Sequence, residues 1–326
     1  MTRLGYQIPN FTYPGASPAD LFPMVVRQAR SAEASGFDTV LVMDHFYQLA
    51  GLGPPEHEML ECYTLLSALA QHTERVRLSA LVTGNTYRNP ALLVKEVTTL
   101  DHVSGGRAQL GIGAGWFQLE HDSLGFEFGT FSDRFSKLEE SLQIIRGMLA
   151  GSRPSLDGRW YQVNDAINSP APLSKIPIMI GGGGEKKTLR LVALYADESN
   201  LICQPGEVAR KLDALAGHCD SVGRDRSEVV VSLLASCCVA PTHAQALAEG
   251  EAYLAARGID LSSLSEDEAD QVRSQMVLGD PDEVGEIFSS RMIDGVDGFT
   301  VNAPANGHIE GRVELLGQVL RKVVGI

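Results

Sequence analysis

The stretch Ile176-Pro-Ile-Met-Ile-Gly-Gly-Gly-Gly-Glu185 decides how the chain is organised. Its apolar, β-prone start stops at four consecutive glycines, Gly181 to Gly184. Apolar residues then recur at helical spacing, as Leu189, Leu191, Val192 and Leu194. Glycines let a ligand approach the backbone closely, and a helix N-terminus offers unpaired N–H donors and a positive dipole end. This order of strand, glycine turn and helix start is typical of a phosphate-binding turn.

A tight turn between strand and helix that binds nothing is the alternative interpretation of these glycines. Each glycine costs more conformational entropy on folding than another residue would, and a turn does not need four in a row. Considered alone, the turn leaves both interpretations open.

Strand and helix patterns alternate along the rest of the chain, as expected for a parallel sheet built from βαβ units. The sequence predicts eight strands, at residues 4–8, 39–43, 76–83, 107–112, 176–180, 199–203, 229–239 and 298–302. This number, with helices between the strands, favours an α/β (β/α)8 TIM barrel over an open doubly wound sheet. We expect one domain over residues 1–326, with insertions near 151–175 and 258–278.

Two local patterns give more specific predictions. Ser17-Pro18 predicts the start of the first helix, because serine caps helices and proline suits the first helical position. Residues 116–130 are rich in aromatics and glycines and predict a long loop, which ends at a helix from Phe131 to Leu149.

Composition narrows the class of partner. The 326 residues carry a formal net charge of −14 and no long run of Lys or Arg, which argues against nucleic acid or an anionic membrane as partner. Five cysteines without a CxxC pair are expected to be free thiols in a reducing compartment. The N-terminus has no apolar signal region, and no stretch approaches 18 apolar residues, so we expect a cytoplasmic protein.

In a barrel of this class the chemistry lies at the C-terminal ends of the strands. Asp44-His45 follow the second strand, where a histidine could donate a proton or could only bond to the backbone. Gly111-x-Gly113-x-Gly115 ends the fourth strand, but Trp116 stands where a GxGxxG fingerprint needs its third glycine. We therefore interpret it as a strand end that a flat ligand can approach, with a simple hinge as the alternative. Cys203 ends the sixth strand.

Other catalytic signatures are missing from the sequence. It contains no HExxH motif, and no metal site is expected. It also contains no Gly-x-Ser-x-Gly elbow, and no persuasive carboxylate pair for a glycoside hydrolase stands at the strand ends.

Seven groups of residues form an ordered set of motifs: Ala34-x-Gly36-Phe-Asp38, Met43-Asp-His-Phe46, Tyr87-Arg-Asn-Pro-Ala91, Leu100-Asp-His-x-Ser-Gly-Gly-Arg107, Leu110-Gly-x-Gly-x-Gly-Trp116, Gly181 to Glu185 with Tyr195-Ala-Asp197, and Val301-Asn302. Together these segments resemble the luciferase-like monooxygenase superfamily, and within it the branch that uses coenzyme F420. They cover most of the first 200 residues in the family's order. The resemblance implies a (β/α)8 barrel, often dimeric, that transfers hydride at a deazaflavin or flavin.

The resemblance also implies roles for particular residues. Gly182 to Gly184 would hold the cofactor phosphate, and Lys186 and Lys187 could neutralise an oligoglutamate tail. Ala80-Leu81 match the place where relatives have a non-proline cis peptide behind the deazaflavin ring. The residues predicted to bind the cofactor are Asp44, Ala80, Leu81, Thr83, Gly113, Gly181, Gly182, Gly183, Gly184 and Cys203.

The predicted catalytic residues are His45, Asp44, Trp116 and Glu120. His45 would donate a proton or a hydrogen bond, and Asp44 would orient His45 or the cofactor. Glu120 and its neighbour His121 are spare acid–base candidates, with ordinary loop charge as the alternative. Members of the family that oxidise sugar phosphates have a glutamate where this chain has Trp116, which disfavours such a substrate. Trp116, Phe117 and Trp160 suggest an aromatic pocket instead.

The predicted function is that of an F420-dependent oxidoreductase acting on a small organic substrate of the CH–OH, C=C or C=O type, as a homodimer. An FMN-dependent monooxygenase that uses O₂ is the first alternative. A barrel that binds a flavin or deazaflavin without catalysis is the second.

Overall fold

A computed structural model describes residues 4–266, 268, 272 and 275–326, without the side chain of residue 262. Its strands are β1 (Leu4–Ile8), β2 (Thr39–Val42), β3 (Arg77–Ala80), β4 (Thr83–Gly84), β5 (Leu110–Gly113), β6 (Leu156–Asp157), β7 (Gln162–Val163), β8 (Ile178–Gly181), β9 (Glu198–Leu201), β10 (Val230–Val239), β11 (Val277–Gly279) and β12 (Gly298–Asn302). Its α-helices are α1 (Leu21–Ser35), α2 (Cys62–Ala70), α3 (Pro90–Ser104), α4 (Gln118–Leu124), α5 (Phe131–Leu149), α6 (Thr188–Tyr195), α7 (Val208–Ser221), α8 (His243–Ala256), α9 (Pro281–Arg291) and α10 (Arg312–Val324).

The chain divides into two compact units. The first unit comprises Val42–Phe46 and Glu61–Val231. Within it β9, β8, β5 and β4 pair in that order, and every pair is parallel. The register sets Gly84 of β4 beside Gly113 of β5. Two glycines therefore lie side by side at the carboxyl ends of β4 and β5.

The second unit comprises residues 4–41, Tyr47–Leu60 and the described part of 232–326. Its strands pair in the order β2, β1, β12, β10, and β11 adds to β10. The pairing of β1 with β12 is parallel and joins the two ends of the chain, with Tyr6 opposite Val301. The helices α1 and α9 pack against α10, which buries apolar side chains such as Val25 and Leu316.

Polar caps fix where several helices of the first unit begin. The Glu61 carboxylate accepts from the N–H groups of Tyr63 and Thr64 at the start of α2. Asn89 caps α3, whose first residue is Pro90. Thr130 and Asp133 form a capping box at the start of α5.

Each of the eight predicted strands overlaps an observed one, and residues 151–175 contain the antiparallel hairpin β6–β7. Two local predictions were wrong. The first helix begins at Leu21 and not at Ser17-Pro18, because residues 18–20 form a turn. The predicted loop 116–130 contains α4, which ends at Gly125 in the left-handed conformation.

Part of the second predicted insertion lies outside the described residues, namely 267, 269–271, 273 and 274. The assignment of one domain to residues 1–326 stays a prediction. In the described part of the chain, no helix combines the length and the apolar character needed to cross a membrane.

Candidate functional site

The predicted pair Asp44-His45 lies at the end of β2, within the first unit. The N–H of Leu81 donates to the Val42 carbonyl oxygen at 2.8 Å, which sets the segment after β3 beside this pair. A non-proline cis peptide follows there, between Leu81 and Val82. The prediction from Ala80-Leu81 was therefore one residue too early.

Glu120 holds the His45 ring. Its side chain is fully buried, and its Oε2 lies 3.0 Å from Nδ1 of His45. Glu120 also accepts hydrogen bonds from the backbone N–H of Phe46 and from the Tyr87 hydroxyl. Helix α4 carries Glu120 to this position, so the carboxylate binds three groups from two separate segments, His45-Phe46 and Tyr87. Glu120 is therefore a buried helical residue and not an ordinary charged residue of a loop, which was the alternative interpretation.

Tyr87 supports this carboxylate and was missed by the sequence analysis. Burial raises the pKa of the Tyr87 hydroxyl, and the neighbouring Glu120 raises it further. The hydroxyl therefore keeps its proton at neutral pH and donates a hydrogen bond to Glu120. The only signal in the sequence was that Tyr87 opens one of the family-like segments.

Asp44 has a different partner from the one expected. Its carboxylate receives two hydrogen bonds from Arg88, at 2.6 and 2.9 Å, and one from the N–H of Gly84 at 3.0 Å. Burial raises the pKa of Asp44, while the Arg88 guanidinium and the Gly84 N–H oppose this change. Arg88 also contacts Glu61 and Glu96, at 2.8 and 3.0 Å. Asp44 thus fixes the segment after β4, and Glu120 orients His45.

Two aromatic rings lie beside the His45 ring. The Trp116 and Phe117 rings meet the imidazole edge-on, with centroids 5.8 and 5.6 Å away. Trp116 is 61% exposed, which leaves its indole open to a ligand. His121 is buried, and its two ring nitrogens are already occupied by the Phe117 carbonyl and the Thr86 hydroxyl.

Val82 fills the space beside two of the glycine strand ends. A Cβ on Gly113 would lie 2.9 Å from the Val82 side chain, and one on Gly181 would lie 2.8 Å from it. Both glycines are therefore required by the close approach of Val82. The hydroxyl oxygen of Thr83, the next residue, lies 2.7 Å from the hydroxyl oxygen of Tyr63, within hydrogen-bond distance.

A lysine of α7 contacts the glycine turn that follows β8. Lys211 is buried and donates to the Gly183 carbonyl oxygen at 2.7 Å. Gly182 has φ of 123°, which only glycine adopts readily. Within the described residues, the N–H groups of Gly183 and Gly184 meet no hydrogen-bond acceptor. The turn therefore presents two open donors, and Lys211 is a second residue that the sequence analysis missed.

The remaining predicted residues lie around this turn. Cys203 is half-buried, and burial raises its pKa while Lys211 opposes the change. Lys186 is exposed, and Lys187 lies 5.2 Å from the centroid of Phe131. Among the described residues, no group of three His, Cys, Asp or Glu side chains is placed to hold a metal ion.

Residues 2–306 match the model of the luciferase-like monooxygenase family. The chain therefore belongs to this family.

Individual relatives differ in the chemistry that their names state. The chain is 31% identical to an F420-dependent glucose-6-phosphate dehydrogenase of Segniliparus rotundus, over 62% of this chain and 60% of that protein. It is 29% identical to a pyrimidine monooxygenase of a Caulobacter species, over 72% of this chain and 66% of that protein. The chain thus spans about three fifths of the length of the first dehydrogenase relatives.

The fold is shared with solved structures. An F420-dependent secondary alcohol dehydrogenase in complex with an F420–acetone adduct superposes with a TM-score of 0.79 at 20% identity, over 99% of both chains. The prediction of a luciferase-like α/β TIM barrel is confirmed.

Proposed function

We propose that the chain is a coenzyme F420-dependent oxidoreductase that transfers hydride between the deazaflavin and a small organic substrate. The observation that carries the proposal is the buried Glu120, which holds His45 beside the strand ends where Val82 packs on Gly113 and Gly181. The names of the dehydrogenase and alcohol dehydrogenase relatives support the choice of cofactor.

The residues of the first unit fit such a cofactor. The open N–H donors of Gly183 and Gly184 suit a phosphate, because charge-assisted hydrogen bonds to an anion are strong. The strand ends Gly113 and Gly181 carry no side chain, and Val82 offers an apolar surface beside them. When bound, the deazaflavin would supply a ring carbon that accepts or donates hydride.

His45 is the proposed proton or hydrogen-bond donor of the reaction. The Glu120 carboxylate favours a proton on Nδ1 of His45, since Nδ1 lies 3.0 Å from its Oε2. The other ring nitrogen, Nε2, then has no proton in the neutral ring, so it accepts a proton from substrate in one direction and donates it back from the charged ring in the other. This division of roles makes Glu120 the residue that fixes tautomer and orientation.

The substrate is expected to be apolar or aromatic near His45. Trp116 and Phe117 provide ring faces and edges there, and Trp116 is largely exposed. Trp116 stands where relatives that oxidise sugar phosphates have a glutamate, and Gln204-Pro-Gly-Glu207 offers no basic residue to bind a sugar phosphate. An alcohol, ketone or enone of modest size suits these surfaces better.

Direct cofactor binding tests the proposal. Cofactor-free protein is incubated with F420 and, separately, with FMN, and the dissociation constants are measured. We expect tight binding of F420 and weak binding of FMN. Tight FMN binding with negligible F420 binding would favour the monooxygenase alternative.

The protein is proposed to be a homodimer, as the resemblance implies. A cytoplasmic location without nucleic-acid or membrane partners is proposed from the cysteine usage and from the net charge of −14. Light scattering after gel filtration checks the dimer, for which a mass near twice 35.1 kDa is expected.

Replacing Gly184 by alanine is expected to weaken F420 binding about tenfold, because the added methyl group crowds the open N–H donors. The new Cβ would lie 2.9 Å from the Thr188 hydroxyl, a side-chain atom that can move, so stability should change by only about 0.5 kcal/mol. Gly183 is a poorer choice, because its Cβ would lie 2.8 Å from the Ile202 carbonyl oxygen. Fluorescence titration measures the affinity.

The matched control for this variant is Gly217→Ala in α7, where an added Cβ meets no atom within 4 Å. It should stabilise the helix by up to about 1 kcal/mol and leave F420 affinity unchanged. An unchanged affinity in Gly184→Ala would contradict the phosphate assignment.

Replacing Trp116 by alanine is expected to raise KM for an aromatic or apolar substrate about fivefold, since a stacking surface of roughly 1 kcal/mol is lost. F420 affinity should stay the same. Steady-state kinetics measure the effect, and Ile167→Ala, which truncates a side chain that is 59% exposed, is the control. Equal KM values in both variants would remove Trp116 from the substrate site.

A further inference from the structure

A cavity of about 450 Å³ lies within the second unit. The segments that follow β1, β2 and β12 form part of its wall, and one face of α8 forms the rest. Its volume falls within the range of sites that bind small molecules. None of its lining residues belongs to the site around His45.

Arg257, at the end of α8, brings a positive charge to this cavity. Its guanidinium lies over the Tyr253 ring, 4.9 Å from the centroid, and donates to the Ala50 carbonyl oxygen at 3.4 Å. Its Nε is buried and has no hydrogen-bond acceptor within the described part of the chain. No carboxylate among the described residues forms an ion pair with it. An arginine held in this way has donors available for an anion.

The rest of the wall is largely apolar or aromatic. Ala252 and Ala256 lie one turn apart on α8 and leave room between the helix and the opposite wall. Tyr13 and His308 stack with centroids 5.5 Å apart. Burial lowers the pKa of His308, so this ring is neutral at pH 7. These walls suit the hydrocarbon part of a ligand.

The negative charge of Glu249, which lines the cavity, limits the negative charge that a ligand can carry. Burial opposes its ionisation, but hydrogen bonds from Arg312 and Asn306 outweigh burial and lower its pKa. Arg312 and Asn306 approach its Oε2 at 3.0 and 2.7 Å, so that this carboxylate is already satisfied. A fixed negative charge in the wall disfavours a phosphate dianion, whereas one guanidinium matches one carboxylate.

We propose that this cavity binds an organic monocarboxylate with an aromatic or aliphatic body, whose carboxylate pairs with Arg257. The hydrocarbon part lies against Ala252, Ala256 and the stacked Tyr13 and His308 rings. None of the residues that line the cavity is among those proposed to bind F420, and binding in the cavity needs no hydride transfer.

Calorimetric titration of the full chain without cofactor tests this site. The probes are hexanoate, benzoate and phenylacetate, each beside its neutral amide, with inorganic phosphate as a further anion. We expect at least one carboxylate to bind saturably, its amide to bind about tenfold more weakly, and phosphate not to bind. If none of the three carboxylates binds, or if phosphate binds better, the proposal is overturned.

Two variants locate the binding. Arg257→Gln should weaken the best carboxylate about tenfold, whereas Lys322→Gln, which removes an equal charge from the exposed last turn of α10, should not. Ala252→Leu should abolish binding by filling the cavity while all charges remain. Unchanged binding in Ala252→Leu would place the ligand elsewhere. Because no cofactor is present, the result is independent of the proposed hydride transfer.

Discussion

Replacing Glu120 by glutamine is expected to lower turnover about 100-fold, the size of effect typical of general acid–base groups. Glutamine keeps the shape of the side chain but offers one acceptor oxygen, whereas the carboxylate serves His45, Phe46 and Tyr87. An amide NH₂ in the place of Oε2 would face both His45 and Tyr87, whereas one in the place of Oε1 would face the Phe46 N–H. In either orientation the negative charge that favours a proton on Nδ1 of His45 is lost, while the cofactor surfaces stay intact.

Kinetics and NMR together measure this effect. We expect kcat to fall, the dissociation constant for F420 to stay unchanged, and the ¹⁵N signals of the His45 ring to report a changed tautomer. Asp122→Asn, on an exposed position of the same helix α4, is the control and should retain activity. Full activity in Glu120→Gln would remove His45 and Glu120 from the proposed proton transfer.

Replacing Asp44 by alanine is expected to destabilise the fold by about 3–5 kcal/mol, the range for breaking a buried ion pair on one side. The substitution leaves the Arg88 guanidinium without its bidentate partner and the N–H of Gly84 without an acceptor. Glu61 and Glu96 still contact Arg88, which limits the loss. Chemical denaturation measures the free energy of unfolding.

A double-mutant cycle separates this pair from its surroundings. Asp44→Ala with Arg88→Ala should lose less stability than the sum of the two single changes, because no unpaired buried charge remains. Additive losses would show that Asp44 and Arg88 act independently. If Asp44→Ala instead kept full stability and lost only F420 affinity, the role in fixing the segment after β4 would be wrong.

The strand positions were predictable because parallel buried strands are short apolar runs with turn residues after them. Ile176 to Ile180 before four glycines is the clearest case, and β8 occupies Ile178–Gly181. The alternation of strands and helices was enough to predict that the candidate site residues stand at the C-terminal ends of strands. The glycine-rich strand ends were recognisable from the sequence. The reason why they need glycine was not, because only the structure shows that Val82 packs on Gly113 and Gly181.

The side-chain partners could not be read from the sequence. Helix α4 has seven residues and follows an aromatic pair, so its pattern was too short to distinguish from a loop. Glu120 and His45 are 75 residues apart in the chain, and no local pattern links them. Lys211 reaches the glycine turn from α7 through a long-range contact of the same kind. Such pairings depend on how distant segments pack.

The size of the Val82 side chain decides which residues fit at the strand ends Gly113 and Gly181. Its methyl groups occupy the space that side chains at residues 113 and 181 would need, so volume can be exchanged among these three positions. A smaller residue at 82 would permit alanine at 113 or 181, and would move the bulk from one strand end to another without altering strand pairing. Side-chain volume at these strand ends can therefore change place while the pairing of the strands is kept.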